Sequence, residues 1–212
     1  MKTKNIVIIG IIVITILLFT VFFLSREKKS LLRTKAPVKS ILAVGDSNTL
    51  ANFSYADQLQ KMFPGIKIKK IAQNGANTSW IKTQLEQELK NNKYDVVSVL
   101  GGSNDIYGGV NLNTTKSNLD YMYKLSHSKG AKVIAISPPN KDFYTNKTDQ
   151  KQILLSDLVN WMGNNKNVDY FIDFHKITNN KNLFSSSDGF LHPQGNAHAI
   201  LQNEIKQELN LA

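Results

Sequence analysis

The 212-residue chain contains no cysteine, which excludes disulfides, thiolate metal ligands and a cysteine nucleophile at once, without choosing a compartment. It shows no internal repeat. Anions are scarce as well, 16 against 26 cations for a formal charge of +10, but the imbalance is local. Residues 1–39 carry eight cations (Lys2, Lys4, Arg26, Lys28, Lys29, Arg33, Lys35, Lys39) and one anion, Glu27, which leaves 18 cations against 15 anions for the rest. The chain beyond residue 39 therefore lacks the basic face with interleaved aromatics that nucleic acid requires, and no nucleic-acid partner is expected. The lysines and arginines flank one apolar segment instead, where such residues meet membrane surfaces.

That segment, residues 5–24, reads NIVIIGIIVITILLFTVFFL. An uncharged run of this length spans about 30 Å of hydrocarbon as a helix. A cleaved signal peptide has a shorter apolar region, roughly 7–15 residues, followed by small residues at the cleavage site. Here Phe22, Phe23, Leu24, Ser25 and Arg26 offer no such site. The expectation is an uncleaved, single-pass N-terminal membrane anchor, with residues 25–39, charged and containing Pro37, as a tether. Five cations follow the run closely and only Lys2 and Lys4 precede it, which by the positive-inside tendency would hold the domain in the cytoplasm. An N-terminal signal anchor ordinarily leaves a long C-terminal domain outside, and an extracytoplasmic domain is the expectation adopted.

With 42% apolar residues, the 212-residue chain has enough to bury one core, and a second domain is not expected. Short β-rich runs alternate with segments of helical period, the pattern of a parallel sheet with crossover helices. Strands are predicted over Ser40–Val44, Ile66–Ile71, Asp95–Leu100, Lys132–Ile136 and Val168–Ile172. Helices are predicted over Tyr55–Met62, Ser79–Asn91, Thr115–Ser128, Gln150–Met162 and Pro193–Leu209, with Pro193 at the first helical position, where its missing N–H is harmless. The result is an α/β fold, a three-layer α/β/α sandwich around a parallel, five-stranded, flavodoxin-like sheet.

Ligands of open parallel sheets bind beyond the carboxyl ends of the strands. Three polar loops fall there, GDSNTL, QNGANTS and GGSND, and a fourth, DGFLHPQG, precedes the last helix. In the first, Gly45 lets the backbone bend and Ser47 point into the crevice. A neutral hydroxyl is a weak nucleophile and needs an adjacent base, for which histidine is suited. Of the four histidines, His127 sits near a helix C-terminus where a cation meets the dipole, His175 follows the last strand, and His198 falls inside the last helix, so each has a structural role to fill. His192 alone lies in a loop at the expected edge, four residues after Asp188. Asp188 is the nearest group in sequence to orient the imidazole, although Ser187-Asp188-Gly189 also reads as ordinary turn chemistry. An attacked carbonyl becomes an oxyanion and needs hydrogen-bond donors. Gly75 can offer a backbone N–H at close range and Asn104 a side-chain N–H, while a turn glycine and a helix cap are their plain alternatives.

Jointly, Ser47 in GDSNTL, Gly75 in QNGANTS, Asn104 in GGSND and His192 in DGFLHP resemble, in order and spacing, the four blocks of the SGNH hydrolases, also called GDSL-type lipases and esterases. The resemblance covers residues 40–212. It implies a flavodoxin-like fold, a Ser47-His192-Asp188 triad, and an oxyanion hole made of the Ser47 and Gly75 backbone N–H groups and the Asn104 side chain. No metal and no organic cofactor are implied. The implied activity is hydrolysis of carboxylic esters, such as acetyl groups on glycans or lipid esters, through an acyl-enzyme. One departure stands out, because the family's aspartate lies three residues before its histidine, a position held here by Gly189. Two alternatives share the sequence pattern: an O-acyltransferase of the same fold, and an inactive module that holds a glycan or protein partner.

Overall fold

The computed structural model describes residues 37–140 and 150–211. Five strands form one sheet: β1 (Ser40–Gly45), β2 (Lys67–Ala72), β3 (Val96–Leu100), β4 (Lys132–Ile136) and β5 (Tyr170–Ile172). All neighbours are parallel and the order is β2-β1-β3-β4-β5, the doubly wound order of flavodoxin-like sheets. Around it lie α1 (Ser47–Leu50), α2 (Tyr55–Met62), α3 (Thr78–Asn91), α4 (Ser103–Tyr107), α5 (Leu112–Ser128), α6 (Gln150–Gly163), α7 (Phe174–Ile177) and α8 (Gly195–Leu209), with a 3₁₀ turn at Lys181–Leu183.

Side chains alternate between the two faces of each strand, and both faces are buried, so the central strands are apolar almost throughout. Leu42, Val44, Val97, Val99, Val133 and Ala135 face one layer, built from Ile81, Leu85 and Leu89 of α3, Leu119 and Met122 of α5, and Leu155, Leu158 and Met162 of α6. Ile41, Ala43, Val96, Leu100, Ile134 and Ile136 face the other, built from Tyr55 and Leu59 of α2 and the i, i+4 row Ala197, Leu201, Ile205, Leu209 of α8. The expected three-layer sandwich is therefore present. The edge strand β2, KIKKIA, keeps lysines on its exposed positions, a common guard against edge-to-edge pairing.

The structure shifts some expected boundaries. The chain does not enter β5 until Tyr170, because the Val168 N–H closes a turn on the Asn165 carbonyl at 3.1 Å. The last helix does not begin at Pro193. That residue forms an isolated antiparallel bridge with Phe184, and the Gln194 N–H donates to the Leu183 carbonyl at 2.7 Å, which holds the chain extended until Gly195. Among the described residues no helix is long and apolar enough to cross a membrane, and the anchor expected over residues 5–24 lies outside the described residues.

Candidate active site

The sheet brings the first three loops together by register alone. Gly45, at the end of β1, is paired with Ala72 of β2 on one side and Leu100 of β3 on the other. Ser47, Gly75 and Asn104 therefore leave three adjacent strands, about 4.8 Å apart, at one carboxyl edge. Gly45 is required for space rather than for an unusual bend: a Cβ there would lie 2.2 Å from the Thr49 Oγ1 and 2.8 Å from the Leu100 carbonyl oxygen. Asp46, almost fully buried, caps α1 by accepting from the Asn48 N–H at 2.9 Å, which fixes Ser47 as the first residue of that short helix.

The fourth loop meets the first. The Ser47 Oγ lies 3.0 Å from the His192 Nε2, and the His192 Nδ1 lies 2.9 Å from the Asp188 Oδ2. Burial by itself would raise the Asp188 pKa, but the hydrogen bond from His192, the Leu191 N–H and the charge interaction with His192 outweigh it and hold the carboxyl below its ordinary value. An ionised carboxylate only accepts. The Nδ1 must then carry the proton, which leaves the Nε2 lone pair to accept from the Ser47 hydroxyl, the orientation a general base requires.

The extra residue between acid and base is absorbed by two consecutive left-handed residues, Gly189 at φ 70° and Phe190 at φ 64°. This tight fold lets Asp188 accept from the Leu191 N–H at 3.1 Å and the His192 N–H at 3.2 Å while also reaching the imidazole. A phenylalanine in this region is strained. Its ring is held by packing against the core that α8 shares and by Lys181, whose Nζ stands 4.1 Å from the ring centroid.

Gly75 adopts φ 71°, open to glycine with little strain. Among the described residues neither its N–H nor that of Ser47 donates to a backbone carbonyl, so both can serve an external oxyanion. The Asn104 Nδ2 donates to the Ala76 carbonyl at 2.9 Å, which orients the amide and leaves its second N–H available. Sequence reasoning missed the residue that laces these two loops together. Asp105, 1% exposed, accepts from the Thr78 N–H at 2.8 Å and the Thr78 Oγ1 at 2.5 Å, tying the start of α3 to α4. The signal was its place directly after Asn104, in a loop already under suspicion. Asp105→Ala leaves two buried Thr78 donors unpaired, at about 3 kcal/mol in total, and is expected to lower the melting temperature by about 6–12 °C. An unchanged thermal transition would contradict this role.

The other histidines fill structural positions. His127 ends α5 and its Nε2 lies 2.6 Å from the Asp169 carboxylate, which also takes Lys132 at 2.5 Å and the Val133 N–H at 2.9 Å, at the opposite edge of the sheet. The His175 N–H donates to the Ser137 Oγ at 2.9 Å. His198 is fully buried, and burial pushes its pKa down to about 4. A cavity of about 420 Å³ opens over Ser47, Asp188 and His192 and is also walled by Asn48, Asn52, Phe53, Asn74 and His198. Among the described residues no cluster of three or more histidine, aspartate or glutamate side chains could hold a metal.

Residues 40–200 match the GDSL-like Lipase/Acylhydrolase family. No functionally curated protein matches the chain. Solved structures that resemble it include TesA, at 19% identity and TM-score 0.66 over 81% of this chain and 98% of that one. A catalytic mutant of Axe2, an acetylxylan esterase from Geobacillus stearothermophilus, aligns at 17% identity and TM-score 0.67 over 84% and 98%. The psychrotrophic esterase EstA from Pseudoalteromonas sp., inhibited by monoethylphosphonate, aligns at 18% identity and TM-score 0.65 over 81% and 97%. At these identities the structures speak to fold, and all share it. The family match spans well over half of the sequence and contains all three loops of the sheet edge and the histidine loop: the chain belongs to the GDSL-like lipase/acylhydrolase family and is a serine ester hydrolase.

Proposed function

We propose that the chain is a membrane-anchored esterase whose nucleophile is Ser47, with His192 as general base and Asp188 as the group that orients it. The observation that carries this reading is the unbroken relay from the Ser47 Oγ through His192 to the Asp188 carboxylate, at 3.0 and 2.9 Å. In the first step the Ser47 oxygen bonds to the ester carbonyl carbon while His192 takes its proton. The oxyanion is held by the Ser47 and Gly75 N–H groups and the Asn104 side chain. The carbon–alkoxide bond then breaks, and His192 passes its proton to the leaving alcohol. In the second step water bonds to the acyl carbon as His192 takes its proton, the bond from the acyl carbon to the Ser47 Oγ breaks, His192 returns the proton to that oxygen, and the carboxylic acid leaves.

The anchor is residues 5–24, the tether residues 25–39, and the hydrolase domain residues 40–212 stands outside the cytoplasm; the uncharged run and its missing cleavage site support the anchor, and the ordinary behaviour of an N-terminal signal anchor supports the placement of the domain. The shifted aspartate, the one feature that favoured a binding-only module, has a local explanation in the two left-handed residues at 189 and 190. The test is covalent trapping of the full-length chain in detergent. A fluorophosphonate is expected to stop hydrolysis of p-nitrophenyl acetate and to add one phosphonyl group to the peptide that contains Ser47. Complete inhibition with the adduct on another residue would sink the assignment.

A further inference from the structure

Two side chains in the wall of the catalytic cavity have buried polar atoms that find no partner among the described residues. His198, fully buried on α8, finds no hydrogen-bond partner for either ring nitrogen among the described residues. Asn48, next to Ser47 and 3% exposed, gives its Nδ2 to the Asp46 Oδ1 at 2.9 Å, while its own Oδ1 has no partner among the described residues. Both line the cavity that holds Ser47, Asp188 and His192. His198 lies between two rings, Phe53 at 5.7 Å and Phe174 at 5.5 Å between centroids. Neutral at pH 7, it carries one unused donor and one unused acceptor.

For stability alone this is a poor choice of residue. The rest of the buried face of α8 is Ala197, Leu201, Ile205 and Leu209 with one other polar residue, Gln202, whose amide has a partner in the Met62 sulfur at 3.3 Å; at position 198 an apolar side chain of similar shape would avoid burying two unpaired nitrogens. Two such residues, contributed by different elements to one cavity wall, point to a partner that arrives with the substrate. An alkyl chain would leave every one of these atoms unpaired, whereas a hydroxyl both donates and accepts. The remaining wall agrees, because Asn52 and Asn74 add further amides beside Leu50, Ala51, Phe53 and Pro193. The volume, about 420 Å³, suits a compact ring and a short acyl group. A bound hydroxyl reaches the buried imidazole only if a neighbouring side chain moves, and the solvent-facing ring beside it is Phe53, 46% exposed and 5.7 Å away between centroids.

We propose that Asn48 and His198 are specificity-determining residues that hydrogen-bond hydroxyl groups on the alcohol half of the ester, so that the enzyme selects a short acyl group carried by a polyhydroxylated ring over the same acyl group on a hydrocarbon. The inference rests on the reading of Ser47 as the nucleophile of this cavity. A site built to hydrogen-bond a hydroxyl discriminates strongly against an analogue that lacks it, since its own buried groups are then left unpaired.

The experiment compares kcat/KM of the full-length chain for acetates of two six-membered rings, the monoacetates of methyl glucopyranoside, taken one position at a time, and cyclohexyl acetate. Wild type is expected to prefer at least one sugar acetate by about 10²-fold or more. In His198→Phe and in Asn48→Ala that ratio should fall by at least about tenfold, while His198→Gln, which keeps a donor and an acceptor, should retain most of it. His198→Phe should also melt no lower than wild type, an outcome that a histidine kept for packing would not give. Ser47-dependent hydrolysis of both acetates without preference, or a preference that survives both substitutions, overturns this inference and leaves the esterase reading standing. Failure of wild type to hydrolyse any of these esters overturns both.

Discussion

Ser47→Ala should lower kcat/KM for p-nitrophenyl acetate by at least about 10³-fold, in line with loss of one member of such a triad. The substitution removes the one hydroxyl among the described residues that hydrogen-bonds the His192 Nε2, at 3.0 Å from the Ser47 Oγ. Thr49, two residues on, cannot take its place, because it is fully buried and its Oγ1 packs where a Cβ on Gly45 would sit. The fold should not suffer: alanine is the best residue for a helix, and the cap of α1 is made by Asp46, not by Ser47. The variant should therefore melt within a degree or two of wild type while the oxyanion donors remain in place. Some acceleration over water is expected to persist, since donors and binding alone retain part of the catalysis of such triads. Activity within tenfold of wild type, in a preparation free of contaminating esterase, would require another nucleophile and would remove Ser47 from the mechanism.

Much of the scaffold is readable from periodicity, because the physics that writes it is local. The i, i+4 rows of α3 and α8 and the two-sided burial of β1, β3 and β4 are repeated signals, and α2 falls where its pattern places it, Tyr55–Met62. α1, α4 and α7 are four or five residues long and too short to display a 3.6-residue period. Each lies near a strand's carboxyl end, so what the pattern hides is concentrated where chemistry would be placed. The sequence offers Gly45 as a residue that lets the backbone bend, whereas the structure needs it for space, since the clash with Thr49 exists only once α1 is folded back on β1. Asp105 and Thr78 are 27 residues apart in sequence, and only the register of β1 with its two neighbours brings their loops together. The unpaired nitrogens of His198 have no sequence signal at all, for a histidine beside an apolar helical row reads as packing until its neighbours are known.

Asp188→Asn should lower kcat about 10³-fold while leaving the stability of the chain nearly intact. The geometry separates the two roles of this residue. As a turn former, Asp188 accepts from the Leu191 and His192 N–H groups at 3.1 and 3.2 Å, and asparagine, with one carbonyl oxygen, can keep a turn of this kind. As a partner of the imidazole it must accept from the Nδ1 at 2.9 Å. If the asparagine amide nitrogen turns to that position, its N–H forces the proton to the Nε2, and the base then presents a donor to Ser47 instead of a lone pair. Even in the other orientation no negative charge remains to stabilise the imidazolium that forms as Ser47 is deprotonated. Wrong tautomer and lost charge together cost on the order of 10⁴ in kcat where such a triad is fully enclosed. Here the Asp188 and His192 side chains are 33% and 39% exposed, solvent screens the pair, and a somewhat smaller loss is expected. The substitution therefore separates the triad from the plain turn that Ser187-Asp188-Gly189 also spells. If kcat falls less than about fivefold while the melting temperature is unchanged, the carboxylate is only a turn residue, and the imidazole must be oriented by something other than Asp188.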